Sequence, residues 1–134
     1  MQTLLLDTNI VIYAINKVHY FEQYRRHLDG FITAISIISV AELYEGAFRA
    51  GLGSRTHRNI VTELDQYTIL PLDETICRWF GKIRFESRNK PKSVPDALIA
   101  ATALAYDLPL ITHNAKDFEG IEGLNLITEY RQGE

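Results

Sequence analysis

Thr3-Leu4-Leu5-Leu6-Asp7-Thr8-Asn9, residues 3–9, is an apolar run that stops on an acid and passes into two polar residues. The leucines are too few for a helix of their own and read as a short buried strand. A helix begins at Thr8 or Asn9, because Ile10, Val11, Ala14 and Ile15 follow at helical spacing. A strand that feeds a helix through an acid, with no hairpin signal between them, is the start of an alternating α/β chain.

The same pattern recurs further along. Phe21, Tyr24 and Leu28 lie on one face of a second helical stretch, which Asp29-Gly30 ends. Phe31–Ile35 is strand-like. Ser39 reads as the N-cap of a helix whose buried face is Val40, Leu43, Tyr44, Ala47 and Phe48, and Gly51-Leu52-Gly53 stops it. Ile60, Leu64 and Tyr67 mark another helix, and Thr68–Leu70 a short strand. Asp73 can cap a helix that buries Ile76, Trp79, Phe80 and Ile83; Trp79 and Phe80 are read as core residues. Ser93 opens a helix that is apolar almost all round, and its alanines (97, 100, 101, 103, 105) predict close packing. Pro109–Thr112 and Leu124–Thr128 read as the last strands. This alternation predicts an α/β fold with a parallel sheet, helices on both faces and ligands beyond the carboxyl ends of the strands.

A chain of 134 residues fits one compact domain, residues 1–134, and 46% hydrophobic against 23% charged residues argues against wholesale disorder. Cys77 is the only cysteine, which excludes an internal disulfide; with no other thiol or base near it in sequence, it reads as a small packed hydrophobe. His19, His27 and His57 lack ligand spacing, and His113 reads as a surface residue. Phe31–Ala41 is too short and too rich in hydroxyls to span a bilayer, and Asp7 interrupts any signal-like start. The expectation is a reduced, cytoplasmic protein with no membrane partner. The net charge of −3 disfavours a general nucleic-acid binder. Locally the balance reverses: between residues 78 and 92, Arg78, Lys82, Arg84, Arg88, Lys90 and Lys92 face the single acid Glu86.

Four acids occupy one kind of position, where a strand or loop enters a helix: Asp7, Glu42, Asp96 and Asp117. Each has a capping reading, through Ser39-x-x-Glu42, Ser93-x-x-Asp96, the looser Asn114-x-x-Asp117, and Asp7 itself. Together they have a second reading. Strand-to-helix junctions gather at one edge of a doubly wound sheet, and like charges gathered there call for protons or a cation. All-oxygen donors suit a hard ion such as Mg²⁺ or Mn²⁺, and water polarised by such an ion attacks phosphodiesters. Thr8, Asn9, Thr112 and Asn114 flank the acids, either as turn and cap residues or as groups that orient the acids or touch phosphate.

In these segments the chain resembles the PIN-domain ribonucleases, and among them the VapC-type toxins of bacterial and archaeal toxin–antitoxin modules. The resemblance rests on Leu5-Leu6-Asp7-Thr8-Asn9, on residues 39–46 (Ser-Val-Ala-Glu-Leu-Tyr-Glu-Gly), on residues 95–103 (Pro-Asp-Ala-Leu-Ile-Ala-Ala-Thr-Ala) and on residues 110–118 (Leu-Ile-Thr-His-Asn-Ala-Lys-Asp-Phe). It implies a three-layer α/β/α sandwich around a mostly parallel sheet and an endoribonuclease dependent on Mg²⁺ or Mn²⁺. It also implies that Asp7, Glu42 and Asp96 form the acidic centre, joined by Asp117, with Asn114 the alternative to Asp117. On this basis the acids hold metal, Glu42 acting through water or on the attacking water, and the products carry 5′-phosphate and 3′-hydroxyl ends. Arg78, Lys82, Arg84 and Lys90 are the candidate contacts to the RNA backbone. The basic loop Asn89-Lys90-Pro91-Lys92 departs from the Gly-containing connection of many relatives.

Family habit further implies a homodimer and a small antitoxin partner, for which Tyr13, Tyr20, Phe21 and Tyr24 are the candidate contacts. Two alternatives remain at this point. An aspartyl-phosphate enzyme would use Asp7 as nucleophile, yet Asn9 stands where the Asp-x-Asp pattern needs its second acid and no paired acids precede Asp7. A non-catalytic member would act through antitoxin or DNA-complex binding, its acidic pocket filled by a partner's arginine.

Overall fold

The computed structural model describes residues 1–16 and 28–128. The expected helix on Phe21 and Tyr24, the partner candidate Tyr20, and His19 and His27 lie outside the described residues.

Five parallel strands form one sheet: β1 (Thr3–Leu6), β2 (Ile32–Ser36), β3 (Thr68–Leu70), β4 (Leu110–Ile111) and β5 (Leu126–Ile127). Their order is β3-β2-β1-β4-β5, so the chain builds outward from β1 on one side and returns to finish on the other. The order reverses between β1 and β4, which makes the carboxyl end of that pair the crevice where such sheets bind ligands. Register is fixed by pairs such as Leu5 with Ala34 and Leu6 with Ile111.

Alternation along β1 splits the core in two. Leu4 and Leu6 pack on one face with Ile10, Val11, Leu43 and Ile60, which come from α1 (Thr8–Ile15), α2 (Ile37–Ala50) and α3 (Arg55–Leu64). Leu5 packs on the other with Ile76, Ile83, Ala97 and Ala100, from α4 (Glu74–Glu86) and α5 (Val94–Tyr106). The result is the expected α/β/α sandwich. Ala97, Ala100, Ala101 and Ala103 are fully buried or nearly so, as close packing of α5 requires.

The element starts follow their caps. Asp73 accepts from the Ile76 amide and Ser93 from the Asp96 amide, as the sequence predicts. Helix α2 differs: it begins after Ser36, whose hydroxyl accepts from the Ile38 amide at 3.0 Å. Ser39 therefore stands inside the first turn and is fully buried, not at the cap. Tyr67 falls beyond α3, and the last two strands are shorter than their apolar runs. Cys77, expected in the core, is exposed: it sits on the outer face of α4 between the buried positions Ile76 and Ile83. Trp79 and Phe80 are half-buried against the second core. Among the described residues, no helix is long and apolar enough to cross a membrane.

Candidate active site

Asp7 follows the last residue of β1 and caps α1, so its carboxylate stands at the reversal of strand order. It is 4% exposed. One oxygen, Oδ1, accepts from the Thr8 amide at 2.8 Å; the other, Oδ2, accepts from the Thr112 hydroxyl at 2.7 Å. Thr112 comes directly after β4, so this bond ties the two strands that flank the crevice. The Asn114 amide donates to the Thr112 hydroxyl at 3.0 Å, which leaves the threonine proton for Asp7. Burial pushes the Asp7 carboxyl up to about 6; the bonds from Thr112 and Thr8 oppose this, and the charges of Asp96 and Glu42 add to it.

Glu42 is reached from the opposite side. Its Oε1 accepts from the Thr8 hydroxyl at 2.7 Å, and the same hydroxyl lies 2.8 Å from Ser39 Oγ. Thr8 has one hydroxyl proton and a carboxylate has none to give, so Ser39 donates to Thr8 and Thr8 donates to Glu42. Glu42 is thus oriented by a buried hydroxyl chain instead of closing a capping box on Ser39.

Asp96 lies in the first turn of α5. Burial raises its carboxyl, the bond with Ser93 opposes that, Asp117 raises it further and Lys92 lowers it. Asp117 ends the 3₁₀ turn Ala115–Asp117, is exposed, and shares a groove of about 380 Å³ with Asp96. The charges of Glu42 and Asp96 therefore act on Asp7, and that of Asp117 acts on Asp96. The four acids share one end of the sheet, although Glu42 stands in the second turn of α2 and not at its start as the sequence suggests. Thr8 and Thr112 are bonded into the site. Asn114 contributes its backbone amide and makes no side-chain cap, and Asn9 lies half-buried in the first turn of α1.

Among the described residues, no three His, Cys, Asp or Glu side chains form a ready-made metal cage. The donor set still suits Mg²⁺, which is commonly held by one or two carboxylates with the remaining positions filled by water and substrate phosphate. Each Asp7 oxygen accepts one hydrogen bond and keeps a lone pair for such a role.

The basic residues divide. Arg78 pairs with Glu74 at 3.2 Å on the outer face of α4. Lys82 lies over the Trp79 ring at 5.3 Å, and Arg84 donates to the Lys92 carbonyl at 2.7 Å. Of the four candidate RNA contacts, only Lys90 lines the acidic groove, with its ammonium 3.9 Å from Glu119. Lys92, part of the basic loop read from sequence, lines the same groove, and so does Lys116, which the sequence reading did not name. Lys116 could have been found from its place beside Asp117, in the turn that follows a strand. His113 is exposed and meets Tyr13 edge-on, with ring centroids 5.5 Å apart.

The reversal of strand order, with acids at its carboxyl end and threonines bonded to Asp7 and Glu42, belongs to a chain with known relatives. The PIN domain model matches residues 4–124, and the chain belongs to that family. Within it, the chain is similar to VapC proteins. It is 33% identical over 124 residues to ribonuclease VapC1 of Haemophilus influenzae, covering 90% of this chain and 92% of that one. It is 29% identical over 126 residues to the tRNA(fMet)-specific endonuclease VapC of Shigella flexneri, covering 92% and 96%. It also superposes with a TM-score of 0.86 on the solved structure of VapBC2 from Rickettsia felis bound to a DNA fragment from its promoter, at 28% identity over 96% of this chain and 100% of that one.

Proposed function

We propose that this chain is a Mg²⁺- or Mn²⁺-dependent endoribonuclease and the toxin of a toxin–antitoxin pair. The observation that carries this reading is the hydrogen-bonded acidic centre at the β1–β4 crevice, in which Thr112 holds Asp7 and the Ser39–Thr8 chain holds Glu42. Its naming as a nuclease is supported by the curated relatives, which are ribonucleases and a tRNA endonuclease. An antitoxin partner is supported by the similarity to the VapBC2 complex.

Asp7, Asp96 and Asp117 would hold the cation. When bound, it supplies charge neutralisation at the phosphate and a lower pKa for the attacking water. The protein's own groups do the rest. Thr112 fixes the orientation of Asp7, and Thr8 aims one oxygen of Glu42 so that the other is free to accept a proton from water. Lys90, Lys92 and Lys116 draw the phosphate chain along the groove.

The test is cleavage. Protein freed of any antitoxin and treated with chelator is incubated with tRNA and ribosomal RNA, with Mg²⁺ or Mn²⁺ added back, beside an Asp96→Asn protein. The expected result is cutting that needs the metal, leaves 5′-phosphate ends and is lost in the variant. A folded protein that binds metal and cuts neither RNA would overturn the reading.

A further inference from the structure

Beside the acidic groove lies a second cavity of about 320 Å³ that the proposed cleavage chemistry does not use. Its walls come from α4, the loop at 89–92, Leu104 of α5 and the turn at 119–122. The floor is apolar: the half-buried Trp79, Leu104 and Ile121 surround the buried Ile83. The rim carries Lys82, Lys90 and Lys92 against Glu86, Glu119 and Glu122, so its formal charges cancel. Lys90, Lys92 and Glu119 also line the groove of Asp96 and Asp117, so the two concavities share a wall.

A cavity of this kind is poorly suited to phosphate, which calls for net positive charge. It is well suited to a flat, mostly apolar group with polar edges. The loop that forms its shared wall is held in place, because Arg84 donates to the Lys92 carbonyl at 2.7 Å while its guanidinium lies 5.9 Å from the centre of the Phe80 ring. Arg84, read from sequence as a backbone contact, instead fixes the wall between groove and cavity.

We propose that this cavity is a nucleobase subsite, which receives a base of the RNA next to the phosphodiester held at the acidic centre. The inference rests on the nuclease reading and names what that site recognises. The base packs on the aliphatic floor beside Trp79, whose ring Lys82 overlies, and the lysines on the shared rim take the neighbouring phosphate. The carboxylates of Glu86 and Glu122 can only accept hydrogen bonds, so they favour the exocyclic amino groups of adenine and cytosine over the single N3–H of uracil, which two carbonyl oxygens flank.

Trp79 is the only tryptophan in the chain and therefore reports on the cavity directly. The experiment uses full-length Asp96→Asn protein with Mg²⁺ and labelled single-stranded octamers of adenine, cytosine or uracil nucleotides, beside an abasic ribose-phosphate octamer of equal charge. Anisotropy reads binding and Trp79 emission reads the cavity. The adenine and cytosine octamers are expected to quench the emission and to bind about tenfold more tightly than the abasic one. Glu122 is exposed, so Glu122→Gln is expected to fold; it should narrow the preference over uracil, with the abasic octamer serving as the control for the lost charge. Equal binding of the abasic octamer, or emission unmoved by bound adenine octamer, would overturn the proposal. So would emission that responds to a cognate antitoxin and to no oligonucleotide. Base-dependent quenching in a protein whose native form cuts no RNA would leave the subsite standing and remove the nuclease reading. Cleavage without base dependence would remove the subsite alone.

Discussion

With its carboxyl at about 6, Asp7 keeps a proton at a pH where an exposed aspartate has released it. Between the ordinary value of 3.8 and about 6, the folded chain is protonated there and the unfolded chain is not. The Asp7 contribution to stability therefore falls as pH rises through that window, by roughly 3 kcal/mol in all. The check is denaturant unfolding of chelator-treated native and Asp7→Asn proteins between pH 4 and 7. The native protein should lose stability relative to the variant as pH rises, and Mg²⁺ at pH 7 should restore it to the native protein alone. At the same scale, Thr112→Val removes the donor to Oδ2 while keeping the shape of the side chain. RNA cleavage should fall by about ten- to a hundredfold, and stability by about 1–3 kcal/mol, because Asp7 Oδ2 and the Asn114 amide both lose their partner. Asp7 and Asp96 were legible in the sequence because one ends an apolar run and the other stands in the first turn of a helix. Glu42 was placed too early, since α2 begins at Ile37 and puts it in the second turn. Their holders were legible only as polar neighbours: nothing in Thr8 or Thr112 says which carboxylate it serves, since that depends on which strands lie side by side.

Two serines three positions apart decide how α2 serves the site. Both Ser36 and Ser39 precede helical residues, and the sequence reading placed the cap at Ser39. The apolar pair Ile37-Ile38 concealed that the helix had already begun. In the structure Ser36 holds the helix end and Ser39 holds Thr8, so the two substitutions to alanine should part company. Ser36→Ala should cost about 1 kcal/mol in chemical denaturation, with activity following stability. Ser39→Ala should lower the cleavage rate of a protein that remains folded, because Thr8 loses its donor. Helix α5 carries a separate strain. Its C-cap, Asp107, adopts a left-handed backbone with φ 54°, a conformation glycine enters without a Cβ clash. Asp107→Gly should therefore raise stability by about 0.5 kcal/mol in the same assay, at no cost to a site on the opposite end of the helix.

For the molecule as a whole, a net charge of −3 coexists with a lysine-lined edge on the acidic groove. If Lys90, Lys92 and Lys116 each neutralise one phosphate, the logarithm of the RNA dissociation constant should rise with the logarithm of salt concentration at a slope of about 2. A titration at several salt concentrations reads that slope directly, and Lys116→Ala should lower it by about 0.7. The layers of the sandwich and its parallel sheet were legible in the alternation of elements. The order β3-β2-β1-β4-β5 was not, because apolar strands of two to five residues carry no mark of which neighbour they choose. For the same reason the basic stretch at 78–92 gave a charge count and no direction: helix α4 turns Arg78 outward and Arg84 onto the loop.

The bond between Thr112 and Asp7 joins residues 105 positions apart. Synthesis passes Asp7, Glu42 and Asp96 before it reaches β4, and until β4 docks beside β1 there is no crevice for those acids to line. Birth order thus works as a safety catch. If the chain cuts RNA as proposed, the centre it cuts with is complete only once β4 has been made and has docked beside β1.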